Sequence, residues 1–290
     1  MARPTWPCLG QTRMSSLAEL SRRLNRLREI SNIMTAMKSL SLVETHKLAR
    51  FIGFQRQMLV NIASAAADFM HFFPLPEMLG EAQAVVLLIG SERGFCGNFN
   101  ERVLAALAAL PAWTTPPQLI AVGHRLATKL AVHPDTIVHL DGPTVTEDVP
   151  EVLGRLMDAL HASSRQSHAV NITTYGLAHD ARGELRLKQL LPLPALLSPT
   201  FTQAPSLNLA PAEFLTELLD QYLLAALQGL LYESLAAENS QRLAHMENAL
   251  SRLNETLGGL ALKRNALRQE KIVEEIEVIL ASEMAFNGHV

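Results

Sequence analysis

A chain of 290 residues with 48% hydrophobic composition can bury a sizeable core, and a net charge of −3 gives no global sign of a nucleic-acid partner. Two cysteines, Cys8 and Cys96, exclude a disulfide framework and suit a reducing compartment. No run reaches the roughly 20 uncharged apolar residues of a membrane span; the best, 214–237, is broken by Glu217, Asp220 and Glu233.

Residues 1–13 contain Pro4 and Pro7 and lack the apolar stretch of a secretory signal, so they read as a disordered extension. Residues 14–73 read as one helix. Leu17, Leu20, Leu24 and Leu27 step by three and four and are followed by Ile30, Met34 and Met37. Ser16 and Glu19 have the spacing of a capping box at its start. Arg22, Arg23, Arg26 and Arg28 flank the stripe, as on the solvated face of a coiled coil.

Thirteen of the 15 prolines fall from Pro74 to Pro211, which sets the middle of the chain apart as a compact domain, residues 80–205. Apolar strands are expected at 84–89, 118–122, 136–140, 168–175 and 185–191, and helices at 100–110, 124–132 and 149–163. Buried strands alternating with helices predict a mostly parallel sheet covered on both faces. Residues 179–183 look like a hairpin turn, which would make the last strand antiparallel.

Residues 211–286 form the second long helix. Leu243, Met246, Leu250, Leu253, Leu257 and Leu260 make a heptad seam, and Ile272, Ile276 and Ile279 resume a stripe in shifted phase. Each stripe is too narrow to be stable alone. The fold class is therefore α/β: an antiparallel coiled coil of the chain ends with a Rossmann-like central domain.

The stretch "GSERGFCGN" follows the first apolar strand and raises the question of a phosphate loop. A phosphate loop of the Walker type needs a lysine after its last glycine, and Asn98 stands there instead. The glycines also lack dinucleotide-binding spacing, so Gly94 and Gly97 read as turn residues. Cys96, close to Arg93, reads as a small buried cysteine rather than a reactive thiol. Ten histidines show no paired ligand spacing, and no nucleophile elbow is present. No catalytic residue, metal ligand or cofactor-binding residue is expected. Lys263, Arg264, Arg268 and Lys271 form a second basic band, suited to something acidic.

Three segments, in order, resemble the gamma subunit of F-type ATP synthases over about 14–284. "LSRRLNRLREISNIMTAMKSL" is similar to the family's opening helix, with Ile33, Ala36, Met37 and Lys38 on its signature. "SERGFCGNFN" is similar to the stretch after its first strand. "AAENSQRLAHMENAL" with "NALRQEKIVEEIEVI" is similar to its closing helix, through Glu238, Arg242, Met246, Asn265, Arg268, Gln269, Ile272, Glu275 and Glu277.

The resemblance implies a non-catalytic rotor shaft whose partners are the alpha and beta subunits of the catalytic hexamer, the epsilon subunit and the membrane c-ring. It implies a peripheral place on the cytoplasmic face of a bacterial inner membrane. It also implies that Met37, Lys38, Arg242, Arg268 and Gln269 meet the catalytic subunits, while Arg93, Gly94, Cys96 and Gly97 form a structural loop. Thr35, Arg252 and Val273 depart from the family pattern, as a divergent bacterial complex would allow. The rival readings are a coiled-coil scaffold or adaptor and an α/β nucleotide-binding enzyme. Neither requires all three segments.

Overall fold

The computed structural model describes residues 9–73, 82–110, 113, 115–130, 137–166, 171–193 and 203–287. In chain order the elements are α1 (Leu9–Phe72), β1 (Ala82–Ile89), α2 (Phe99–Ala108), β2 (Gln118–Val122), α3 (His124–Leu130), β3 (Ile137–Leu140), α4 (Val149–Gln166), β4 (Asn171–His179), β5 (Leu185–Leu191) and α5 (Pro211–Asn287). Helix α1 starts five residues before the expected Met14. Nothing between Pro7 and Ser16 breaks a helix, so Ser16 and Glu19 lie inside α1 and do not cap it. Residues 1–8, and the expected strand residues 136 and 168–170, lie outside the described residues.

The chain divides into two units, one of residues 1–39 with 246–290 and one of residues 40–245. The first is the helical pair. Leu24 and Met246 are fully buried, Leu17, Leu20, Leu27, Leu250, Leu253, Leu257 and Leu260 are half-buried, and Lys38 Nζ pairs with Glu247 at 2.9 Å. The expected seam of α5 is therefore a packed one. On α1 the stripe departs from expectation at Ile30, which is 47% exposed while Ser31 takes its place, and Met34 and Met37 are half-buried as expected. A step of four from Leu27 reaches Ser31, so the heptad holds its phase by accepting a small polar residue. At the far end of α5, Ile272, Val273, Ile276, Val278, Ile279 and Leu280 are all exposed.

Leu250→Asp is expected to place a carboxylate in this half-buried seam and destabilise the pair by on the order of 2–3 kcal/mol. Hydrogen exchange should show faster opening of residues 246–260. Wild-type protection there would mean that the seam is not what holds the pair.

The second unit is a five-stranded sheet in the order β3-β2-β1-β4-β5, parallel except for β5. The apolar run Ala84–Ile89 of β1 follows from burial on both faces. Val85, Leu87 and Ile89 pack with Val152, Leu156 and Leu160 of α4 and with Leu227, Leu230 and Leu231 of α5. Val86 and Leu88 point the other way, to Val103 of α2 and Leu126 and Leu130 of α3. Gly176 in β4 lets α5 come close, since a Cβ there would lie 2.6 Å from Leu230 Cδ1. The antiparallel β4–β5 turn is held by Asp180, whose Oδ1 accepts from the backbone N–H groups of Arg182 and Glu184.

Within this unit α1 and α5 run antiparallel along the sheet. Phe51 stacks on Tyr232 and Phe69 meets Phe214, so one helix advances as the other returns. Glu44 of α1 is buried and accepts from the N–H and hydroxyl of Thr146, which fastens α1 to the turn before α4. Those hydrogen bonds and Lys47 outweigh the upward push of burial and hold the Glu44 carboxyl below its ordinary range.

Candidate functional site

Open parallel α/β sheets bind ligands at the carboxyl ends of their strands, so this edge is where a nucleotide would sit. Here it is closed by the protein's own carboxylates. Glu92, leaving β1, accepts through Oε2 from the N–H of His124 at 2.8 Å and of Gly142 at 2.7 Å. It thereby caps α3 and ties the ends of β2 and β3 to the loop. Asn100 accepts from the Ser91 N–H at 2.9 Å and donates to the Ser91 hydroxyl at 2.8 Å.

The loop itself is bound by α5. Glu238 accepts from the N–H groups of Glu92 and Arg93, both at 3.3 Å, and pairs with Arg242 one turn along the helix. Arg242 also donates to Gly94 O at 3.2 Å, to Asn239 Oδ1 at 2.9 Å and to Cys96 Sγ at 3.3 Å. Both charged residues are only 4% exposed. The N–H groups that would cradle a phosphate are thus spent on a carboxylate, which is an internal anion in the phosphate's place.

This network fixes the conformation of the loop. Gly97 has φ +58, and Phe95, two residues before it, has φ +66, a left-handed conformation unusual for a bulky residue. Phe95 is exposed, and the sequence alone had not marked it. Cys96 lies 3.4 Å from Arg93 O and 3.3 Å from Gly94 O. Burial first, and then the Glu238 charge, push its thiol up to about 12, so it is the inert buried cysteine expected and not a nucleophile. Arg93 is exposed, while its backbone serves the network.

Calorimetric titration with Mg-ATP is expected to show no micromolar site in residues 90–98. A site abolished by Arg93→Ala would overturn the structural role of this loop.

The five residues expected to meet catalytic subunits separate into three places. Arg242 is buried in the network just described, which engages its guanidinium inside the chain. Met37 and Lys38 lie on α1 opposite Glu247, and both are half-buried. Arg268 and Gln269 are exposed on α5, 21 residues beyond Glu247, a distance of about 30 Å along a helix. Arg268 and Gln269 therefore lie at a different level of the helical pair from Lys38. With Lys38 opposite Glu247, Arg22 falls beside Lys263, so the band of Arg22, Arg23, Arg26 and Arg28 ends where that of Lys263, Arg264 and Arg268 begins. Among the described residues no cluster of His, Cys, Asp and Glu could hold a metal ion.

A family model described as ATP synthase matches residues 16–286. The chain belongs to the ATP synthase family. An ATP synthase gamma chain from Bdellovibrio bacteriovorus is 26% identical, over 95% of this chain and all of the relative. One from Clostridium novyi is also 26% identical, over 90% of this chain and 95% of the relative. Among solved structures, the rotor of the Euglena gracilis mitochondrial ATP synthase aligns with a TM-score of 0.57 at 14% identity, over 89% of this chain and 99% of that one. That likeness is one of fold. No helix among the described residues is long and apolar enough to cross a membrane.

Proposed function

We propose that this chain is the central-stalk rotor subunit of a bacterial F-type ATP synthase. It couples transmembrane ion flow to the synthesis or hydrolysis of ATP at sites on the beta subunits, from the cytoplasmic face of the inner membrane. Its partners are the alpha–beta hexamer, the epsilon subunit and the c-ring. The observation that carries this reading is the surface of the helical pair. Two basic bands follow one another along it, and Ile272, Val273, Ile276, Val278, Ile279 and Leu280 of α5 are exposed. An apolar end fits a bearing, and arginines fit acidic loops that pass it in turn. Met37, Lys38, Arg268 and Gln269 supply contacts at two levels, and Arg242 supports the loop from within.

The chain should co-purify with alpha, beta and epsilon subunits. The pair Arg268→Ala and Gln269→Leu should lower ion-driven ATP synthesis in membrane vesicles, normalised to assembled complex. A loss of about two- to fivefold matches contacts of up to ~1 kcal/mol. Unchanged synthesis would place the grip elsewhere on the shaft.

A further inference from the structure

The second unit contains a cavity of about 440 Å³ between α1, β5 and α5. That is within the roughly 300–1,000 Å³ range of small-molecule sites. Its wall is apolar, from Ile52 and Leu59 of α1, Leu190 of β5, and Tyr222, Ala226 and Leu230 of α5. Gly229 leaves part of the wall open, since a Cβ there would meet only Gln55 Cγ, at 3.6 Å.

The rim is charged and unbalanced. Glu233 Oε1 accepts from Arg56 Nη2 at 2.9 Å and Nε at 3.2 Å, and Oε2 accepts from Lys188 Nζ at 3.0 Å. Two cations share one carboxylate, so the rim carries net positive charge. The guanidinium and ammonium together have more N–H donors than two carboxylate oxygens accept. Nothing in the rotor reading uses this cavity, and it lies apart from the closed strand edge.

We propose that this cavity binds a small amphipathic monoanion, with an aryl or short alkyl body inside and a sulfonate or carboxylate at the Arg56–Lys188 rim. The body replaces water along the Ile52–Leu230 wall, and the head group takes the N–H donors that Glu233 leaves unused. A dianion fits less well because Glu233 would repel its second charge.

Anilinonaphthalene sulfonate is the probe, titrated into the full-length chain and followed by fluorescence. Saturable one-to-one binding is expected, weakening with salt because the rim is partly exposed. Lys188→Gln should weaken it about three- to fivefold, while leaving phenylnaphthylamine, the same body without the sulfonate, unaffected. Gly229→Leu should fill the cavity and abolish binding of both probes. Lys188 is exposed on its strand, so that variant tests the rim even if Gly229→Leu folds poorly. Non-saturable binding, or equal losses of both probes in Lys188→Gln, would overturn the proposal. So would unaltered binding in a folded Gly229→Leu variant.

Discussion

Arg242→Ala is expected to cost the fold about 3–5 kcal/mol, the penalty for stranding one member of a buried ion pair. The variant leaves the Glu238 carboxylate without its guanidinium, removes the guanidinium donor to Gly94 O and leaves Cys96 Sγ without a donor. Denaturant unfolding of the full chain measures the loss. Its pH dependence separates charge from packing. Burial pushes the Glu238 carboxyl up, and Arg242 and the two loop N–H groups pull against that. Without Arg242 the carboxyl rises further above its unfolded value, so the folded variant takes up a proton as pH falls. Stability then improves on acidification through that raised value, and the deficit at pH 5 should be smaller than at pH 8. Adding Glu238→Gln should recover part of the loss at neutral pH. A deficit independent of pH would show that packing, not charge, governs the pair.

His179 is the second large effect. It is 0% exposed, stacks on Phe99 at 3.8 Å between ring centroids, and neither ring nitrogen has a hydrogen-bond partner. Burial, helped by Arg102, lowers its pKa to about 4, against the weaker opposite pull of Asp180. The folded value lies below the unfolded one, so the unfolded chain binds the proton first. Stability is therefore full above about pH 6.5 and falls as pH drops toward 4, by on the order of 2–3 kcal/mol. His179→Leu should remove this component of acid sensitivity and leave neutral stability equal or higher, because an apolar side chain has no nitrogen to leave unpaired. An unfolding curve with the wild-type slope between pH 6.5 and 4 would reject the assignment.

The contrast between these two sites marks what could be read from sequence. The sheet was legible because its strands are apolar runs between turn residues, and the Asp180–Gly183 turn announced the antiparallel β5. The α5 seam was legible because its members are leucines. On α1 the buried face also contains Ser31, Ser41, Glu44 and Gln55, so a search for apolar periodicity slipped toward the exposed Ile30. Those polar residues are tolerated inside by partners such as Thr146 for Glu44 and the Ala225 carbonyl for Gln55. The same limit applies to Arg242. The resemblance implied for it a contact with the catalytic subunits, and its bonds to Gly94 and Cys96, nearly 150 residues distant, leave no local signal. His179 was taken as the first residue of a turn, whereas it is the last residue of β4, under Phe99.

Strand β5 borders the sheet, and an open border invites a second molecule to add its own strand. Arg186, Lys188 and Gln189 are exposed along it, with Arg186 anchored to Asp180 and Lys188 to Glu233. Two such borders brought together would set like charges opposite one another. Like charge along this border is expected to disfavour edge-to-edge pairing of two copies. Light scattering of the isolated chain should show this as a monomer that begins to self-associate when Arg186 and Lys188 are both made neutral.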